Sequence, residues 1–433
     1  MTHVLLINPN PDYLREPATN EPLNLLTLAA PLVKHPDIKV SIMDGAIKKI
    51  TKTSLTIIIK KKHITHIACT STTPQYPKAL KILNWSQQIN KTLKLNLHTI
   101  LGGVHATILQ ANALKDGWDT VCTLEGDLKI VPIIKQNLRG LIIGDRLTSQ
   151  QLDQQPFPDR HLINPLKYHP RGQKPRITIV DIRGCPFNCI FCDKTIMGYK
   201  PRCRSPKKVI QEIKHVIKKW GIKNVIFYAD TFTINHVRVR QICKLLTPLN
   251  IKWECNSRVD TINQSLLTIM AKAGCTCVRY GLESANPRVL KSIRKGITVD
   301  QVKKAVTMTQ AVGIDAGIYA IYGFPEDDWQ SAQDLVDFLH QVNPNRFQLS
   351  LALPLPNTEL YRQVIEDLGH TPPKKLEEHY YAGKHGPHTW VKRTKHLNEA
   401  KFKQRSRWLQ QQIAAWATKT KTNQSRTTNI IIK

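Results

Sequence analysis

The stretch RITIVDIRGCPFNCIFCDK, residues 176–194, joins a β-branched apolar run to a loop that carries Cys185, Cys189 and Cys192, with gaps of three and two residues between them. A metal site closed by protein takes four ligands, usually as two pairs or with a histidine close by, and here the fourth is missing. Outward from this stretch, strand-like runs recur as NVIFYAD (224–230), IKWECNS (251–257), CVRYGLES (277–284), AGIYAIYG (316–323) and RFQLSLAL (346–353). Amphipathic stretches separate them, among them PKKVIQEIKHVIKKWG (206–221) and TVDQVKKAVTMTQAVG (298–313), the latter ending in the glycine that commonly stops a helix. Six β/α units with parallel strands predict a partial barrel over residues 176–355. In such barrels the chemistry sits in the loops after the strands, and the cysteine loop follows the first of them.

Residues 1–145 read the same way on a smaller scale. HVLLINP, KVSIMD, HIACTS, HTILGG and TVCTLEG look like buried strands, with LNLLTLAAPLVKH and YPKALKILNWSQQINK as helices between them. The prediction is an α/β, doubly wound parallel sheet with its ligand crevice at the carboxyl ends of the strands. Residues 146–175 are proline-rich and non-periodic and are expected to be an interdomain linker. Residues 356–433 form a basic, helix-leaning extension whose end, from 418, is expected to be disordered.

With 433 residues and 41% hydrophobic content the chain can bury sizeable cores without staples. No charged leader precedes an apolar run and no apolar segment reaches a membrane span, so a cytoplasmic location is expected. Ten cysteines dilute in this length, three of them bunched, fit a reducing compartment better than a disulfide framework. Lys and Arg total 63 against 32 Asp and Glu, a net charge of +31. Such an excess raises the prior for a polyanionic partner, but the cations are spread over every segment without interleaved aromatics, so a generally basic surface is the simpler reading.

Three thiolates on one short loop would hold three irons of a four-iron, four-sulfur cluster and leave the fourth open to a small molecule. Phe191, before Cys192, would pack beside that open corner. Here the chain resembles the radical S-adenosylmethionine (SAM) superfamily, whose signature is CxxxCxxC with an aromatic before the last cysteine. The resemblance implies that the SAM amino and carboxylate groups chelate the fourth iron and that one-electron reduction cleaves SAM to methionine and a 5′-deoxyadenosyl radical. FYADTFT resembles the family's segment after the second strand, with Thr231 where a second Asp is common. WECNSRVD resembles the third-strand segment, and VRYGLESANPRVLKSIRKG its GxES run. YAIYGFPEDD resembles the fifth-strand GxPGE segment, except that Glu326 follows Pro325 directly. The resemblance thus implies SAM contacts from Phe191, Asp230, Arg258, Glu283 and Glu326. The other cysteines, Cys69, Cys122, Cys203, Cys243, Cys255, Cys275 and Cys277, are read as small buried hydrophobes.

The first domain is similar, in order and spacing, to the cobalamin-binding domain of cobalamin-dependent radical SAM enzymes. That implies cobalamin contacts from Thr72 and Thr73 in CTSTT and from Gly102 and Gly103 after the fourth strand. The DxHxxG loop of many cobalamin proteins is absent, and His105 is read as a hydrogen-bonding group rather than an axial ligand. The resemblance implies a methyltransferase acting on an unactivated carbon of a small-molecule substrate, with electrons from an external donor such as flavodoxin or ferredoxin. A radical cyclase or rearrangement without methyl transfer is the alternative. A non-catalytic iron–sulfur protein that binds nucleic acid would explain the charge but not the strand-end motifs.

Overall fold

The computed structural model describes residues 1–372 and 389–423, in which two six-stranded parallel sheets follow one another along the chain. The first contains β1 (Thr2–Asn8), β2 (Ile38–Asp44), β3 (His66–Thr70), β4 (His98–Gly102), β5 (Thr120–Thr123) and β6 (Gly140–Ile143), in the order β2-β1-β3-β4-β5-β6. The chain moves one way from β1 to β2 and the other way from β3 onward, so the loops after β1 and β3 part and leave a crevice at the carboxyl ends. Val4, Leu5, Leu6 and Ile7 alternate between two cores and are wholly buried. One face carries the helix Leu23–Leu32 and the other the helices Lys52–Lys62 and Tyr76–Leu93, which explains why β1 is apolar throughout rather than alternating. The sequence reading did not single out β6, a four-residue edge strand, GLII, that opens on a glycine and is half open to solvent.

The second sheet contains β7 (Ile177–Ile179), β8 (Asn224–Phe227), β9 (Lys252–Ser257), β10 (Cys275–Glu283), β11 (Asp315–Tyr322) and β12 (Arg346–Leu351), neighbours in chain order and all parallel. This is the expected six-stranded partial barrel. The run at 176–184 is not one strand, however. β7 stops at Ile179, and Ile182–Arg183 pairs antiparallel with Arg202–Cys203, a short ribbon holding both ends of the cysteine loop. Buried Asp181 makes the break: its carboxylate accepts from Arg238 Nη1 at 2.7 Å and its carbonyl from Arg204 N at 2.9 Å.

The segment 146–175 is no free spacer. It begins with the capped helix Ser149–Gln154 and then buries Arg160 between Glu21 of the first sheet's layer and Glu212 on the helix Pro206–Trp220, at 3.2 and 2.9 Å. The extension also docks: on the helix Glu399–Asn423, Phe402, Leu409, Ile413 and Trp416 join the barrel's core. Of the stretch 418–433, residues 418–423 lie in this helix and 424–433 lie outside the described residues. Among the described residues no helix is long and apolar enough to cross a membrane.

Candidate active site

The cysteine loop leaves the ribbon at Gly184, whose φ of +92° and crowding by Lys200 O and Met197 O exclude a side chain. Backbone hydrogen bonds then fix the loop: Cys185 N donates to Gly198 O, Ile190 N to Ile293 O, and Ile190 O accepts from Leu360 N. Cys185 and Cys189 are half-buried and Cys192 is exposed. Burial raises the Cys189 thiol, and Cys192, though its side chain is open to solvent, is pushed up to about 12 by the protein around it, Asp230 and the other two thiols. Lys295, Arg258 and Lys194 pull in the opposite direction, supplying the positive surroundings that thiolates need. Among the described residues no three His, Cys, Asp or Glu side chains converge tightly enough to ligate one metal ion.

Around the loop the barrel supplies aromatic and charged walls. Phe191 lies 5.5 Å from the ring of Phe324, which follows β11, and Lys295 Nζ stands 5.8 Å from the Phe191 ring centre. Arg258, just past β9, stacks its guanidinium 3.6 Å over Phe187 of the cysteine loop. The Arg258 fork is already engaged: Nε and Nη2 donate to Asp260 at 2.9 and 2.8 Å, and Nη2 also donates to Lys295 O at 2.9 Å. Arg258 therefore braces the loop from beneath. At the end of β10, Glu283 adopts φ +65°, a conformation costly for a residue with a side chain and typical of functional sites. Its Oε1 accepts from Lys295 Nζ at 2.8 Å, both side chains being 8% exposed. A Cβ at Gly281 would overlap Glu283 Oε1 and come within 2.6 Å of Lys295 Nζ, so the glycine of GLES clears the path for this ion pair.

Asp230 follows β8 on an exposed loop beside the start of the cysteine loop; partial desolvation raises its carboxyl against the opposing pull of the Gly184 amide and Lys194. Thr231, in the position where the family often has an acid, is buried and places Oγ1 4.0 Å from Cys185 Sγ. Glu326 is drawn elsewhere: its carboxylate takes Lys395 at 2.8 Å, His396 at 3.2 Å and Arg288 at 3.4 Å, and the hydrogen bonds from Lys395 and His396 hold it below its usual range. The acid that shapes the loop after β11 is its neighbour Asp327, whose wholly buried Oδ2 accepts from Gly323 N and Phe324 N at 2.7 and 2.8 Å and whose carboxyl burial lifts to about 6. The missing glycine in YGFPEDD is thus accompanied by a carboxylate that binds the turn's amides. Lys295 and Asp327 escaped the sequence reading because both sit inside segments noted for other residues.

The crevice of the first sheet is a cavity of about 360 Å³ at the carboxyl ends of β1, β3, β4 and β5. Thr72, Gly102 and Gly103 line it, and its far wall is Val180 from the break after β7, Arg183 of the ribbon, and Ile196 and Met197 at the end of the cysteine loop. Gly102 faces open space, a Cβ there meeting only Cys122 O at 3.9 Å, whereas Gly103 (φ +97°) is required by Ser71, whose carbonyl a Cβ would approach to 2.8 Å. Thr73 departs from expectation. The turn at 73–75 swings it out of the wall, and its Oγ1 lies 3.2 Å from His105 Nδ1. His105 is likewise no part of the wall; it packs on Tyr76, and burial lowers it to about 4. The wall is locked to the barrel by charge. Glu125 and Asp127, in the loop after β5, accept from Arg183 at 3.1 and 2.9 Å, and Glu125 from Arg202 at 2.5 Å, so both strands of the ribbon are held by the first domain.

Comparison with known proteins supports this reading. Residues 179–339 match the model of the Radical SAM superfamily. An uncharacterized methyltransferase of Pyrococcus horikoshii is 30% identical over 370 residues, covering 80% of this chain and 79% of the relative. The anaerobic magnesium-protoporphyrin IX monomethyl ester cyclase of Rubrivivax gelatinosus is 26% identical over 325 residues, 69% of this chain and 58% of that protein. Among solved structures, the radical S-adenosylmethionine methyltransferase TsrM from Kitasatospora setae, with cobalamin and a 4Fe-4S cluster bound, superposes with a TM-score of 0.70 at 14% identity, over 96% of this chain and 89% of that one. At that identity the likeness is one of fold.

Proposed function

The chain belongs to the radical S-adenosylmethionine superfamily, and from that premise we propose that it is a cobalamin-dependent methyltransferase acting on an unactivated carbon of a small molecule. One observation carries the proposal: the cavity in the first sheet is walled by the end of the cysteine loop, so a ligand seated there faces the chemistry of the barrel without an intervening layer. Together the bound groups supply a one-electron cleavage of SAM and a carrier for its methyl group. The residues here hold and orient those groups. Cys185, Cys189 and Cys192 would hold three irons, and Lys194, Lys295 and Arg258 would offset the charge of the thiolates. Phe191 offers a stacking face beside the loop. Glu283, fixed by Lys295, presents a carboxylate at the end of β10, and Asp230 does so after β8. Arg258 acts as a positioning residue through Phe187. Thr72, Gly102 and Gly103 line the cobalamin crevice. Electrons come from an external donor such as flavodoxin or ferredoxin, in a reducing cytoplasmic setting.

The test is anaerobic reconstitution with iron and sulfide, addition of cobalamin, SAM and reductant, and mass spectrometry for 5′-deoxyadenosine and S-adenosylhomocysteine. Both products support methyl transfer. Deoxyadenosine alone moves the assignment to a cyclase or rearrangement, the reading favoured by the likeness to the Rubrivivax enzyme. Absence of both products would defeat the enzymatic reading.

A further inference from the structure

A second concavity lies at the opposite edge of the first sheet, away from the cysteine loop. A groove of about 450 Å³ runs between the end of edge strand β2, the helix Lys52–Lys62 and the turns of residues 162–168. Its floor is apolar, with Ile42, Ile50, Ile58 and Leu162, and Ile57 stands 58% exposed at the rim. Five lysines converge on it from three separate segments: Lys48 and Lys49 from the loop after β2, Lys61 and Lys62 from the helix, and Lys167 from the linker. Among the described residues the ion-paired lysines are Lys78, Lys129, Lys135, Lys295, Lys303 and Lys395, so none of the five is neutralised, though Lys62 Nζ donates to Ser41 Oγ at 2.8 Å. The single carboxylate of the groove, Asp44, is saturated by Asn8 Nδ2 at 2.7 Å, Ala46 N at 2.9 Å and the Tyr168 hydroxyl at 2.7 Å. Five cations to one occupied anion exceeds the chain's own ratio of 63 to 32, so composition alone does not produce it.

Unpaired cations over an apolar floor suit a ligand that is anionic at one end and apolar at the other. Nucleic acid fits poorly, because stacking needs open aromatic faces and the one ring here, Tyr168, is buried and bonded through its hydroxyl. We propose that this edge of the first domain docks on the surface of an anionic phospholipid membrane, one lipid seating its headgroup among the lysines and its chain on the isoleucine floor. The volume is that of a small-ligand site, and basic residues beside apolar ones are the pattern by which proteins lie on anionic leaflets. The proposal is independent of the methyl-transfer reading, since no residue of the cysteine loop takes part.

The experiment is co-sedimentation of the full-length protein with vesicles of phosphatidylcholine alone, or with one third phosphatidylglycerol, at physiological ionic strength. Binding is expected to the anionic vesicles only. Each lysine at an anionic surface contributes roughly fivefold, so Lys48→Glu with Lys49→Glu is expected to lower the partition coefficient by more than tenfold. Ile57→Ser, which leaves the charge unchanged on an exposed site, is expected to lower it severalfold. Lys401→Glu with Lys403→Glu, the same charge change on exposed positions of the helix Glu399–Asn423, is expected to leave it within twofold. Equal loss in that control pair, an unaffected Ile57→Ser protein, absence of binding to anionic vesicles, or displacement by a soluble acidic polypeptide as effective as vesicles would each overturn the proposal. Circular dichroism and bound iron check that every variant is folded.

Discussion

Replacing Arg160 with Met removes the cation that two buried carboxylates share between the first sheet's layer and the barrel. The Arg160 side chain is 1% exposed and makes three hydrogen bonds: Nε to Glu21 Oε1 at 3.2 Å, Nη1 to Glu212 Oε1 at 2.9 Å and Nη2 to Thr178 O at 2.9 Å. Methionine fills much of the same volume, so the loss is one of charge and hydrogen bonding more than of packing. Glu212 keeps a second cation, Arg204 at 2.7 Å, whereas Glu21 keeps only the amide of Thr178 at 3.1 Å. Removing one partner of a buried pair costs about 3–5 kcal/mol, and the surviving Arg204 contact places the expected loss at about 3 kcal/mol. Because this loss falls on the seam between the sheets, calorimetry should show one melting transition become two. Trp85 and Trp118 report the first sheet and the remaining six of the eight tryptophans lie beyond it, so emission at intermediate urea should show which half unfolds first. Adding Glu21→Gln to Arg160→Met should recover more than 1 kcal/mol, since the buried uncompensated charge is then gone. An Arg160→Met protein within 1 kcal/mol of wild type, or a double variant no better than the single, would refute the idea that this arginine neutralises the seam.

Alanine at any one of Cys185, Cys189 or Cys192 should abolish the visible absorbance of the reconstituted protein and SAM cleavage, while Cys203→Ala should do neither; iron analysis and deoxyadenosine assays read both. Gly102→Trp, with open space before its Cβ, should fill the first-sheet cavity and lose cobalamin while keeping iron, as equilibrium dialysis and iron content would show. Gly281→Ala should break the Glu283–Lys295 pair and weaken SAM binding at least tenfold with cluster content unchanged, measured by calorimetric titration. The first sheet should lose stability on acidification. Burial, with His98 beside it, lowers His66 to about 4 from 6.5, so its contribution is complete above about pH 6.5 and is lost as the pH falls toward 4. The loss is at most about 3 kcal/mol. His66→Gln should make the fall of the melting temperature between pH 7 and 5 shallower, the rest coming from His3, His98 and His105, which burial also lowers, and an unchanged slope would count against the assignment.

Much of this protein is legible in one dimension because its information is local. Strands buried on both faces announce themselves as unbroken apolar runs, and the three cysteines proposed to hold one cluster fit in eight residues, so the doubly wound sheet, the partial barrel and the loop all follow from short windows of sequence. Helix ends are equally local: Thr298 caps Val299–Ala311 through Gln301, and Gly221 in the left-handed region ends Pro206–Trp220. What the sequence left open depends on residues far apart in the chain. Glu125 meets Arg202 across 77 positions and Arg160 meets Glu21 across 139, and no periodicity predicts which distant charges will be buried together. Glu326 and Asp327 are adjacent and chemically alike, yet one side chain faces Lys395 and the other binds the amides of Gly323 and Phe324. Thr72 and Thr73 divide in the same way between the cavity and His105. Tertiary structure settles these choices because burial makes an unpaired charge or donor costly, and only the assembled fold determines which partner is near enough to satisfy it.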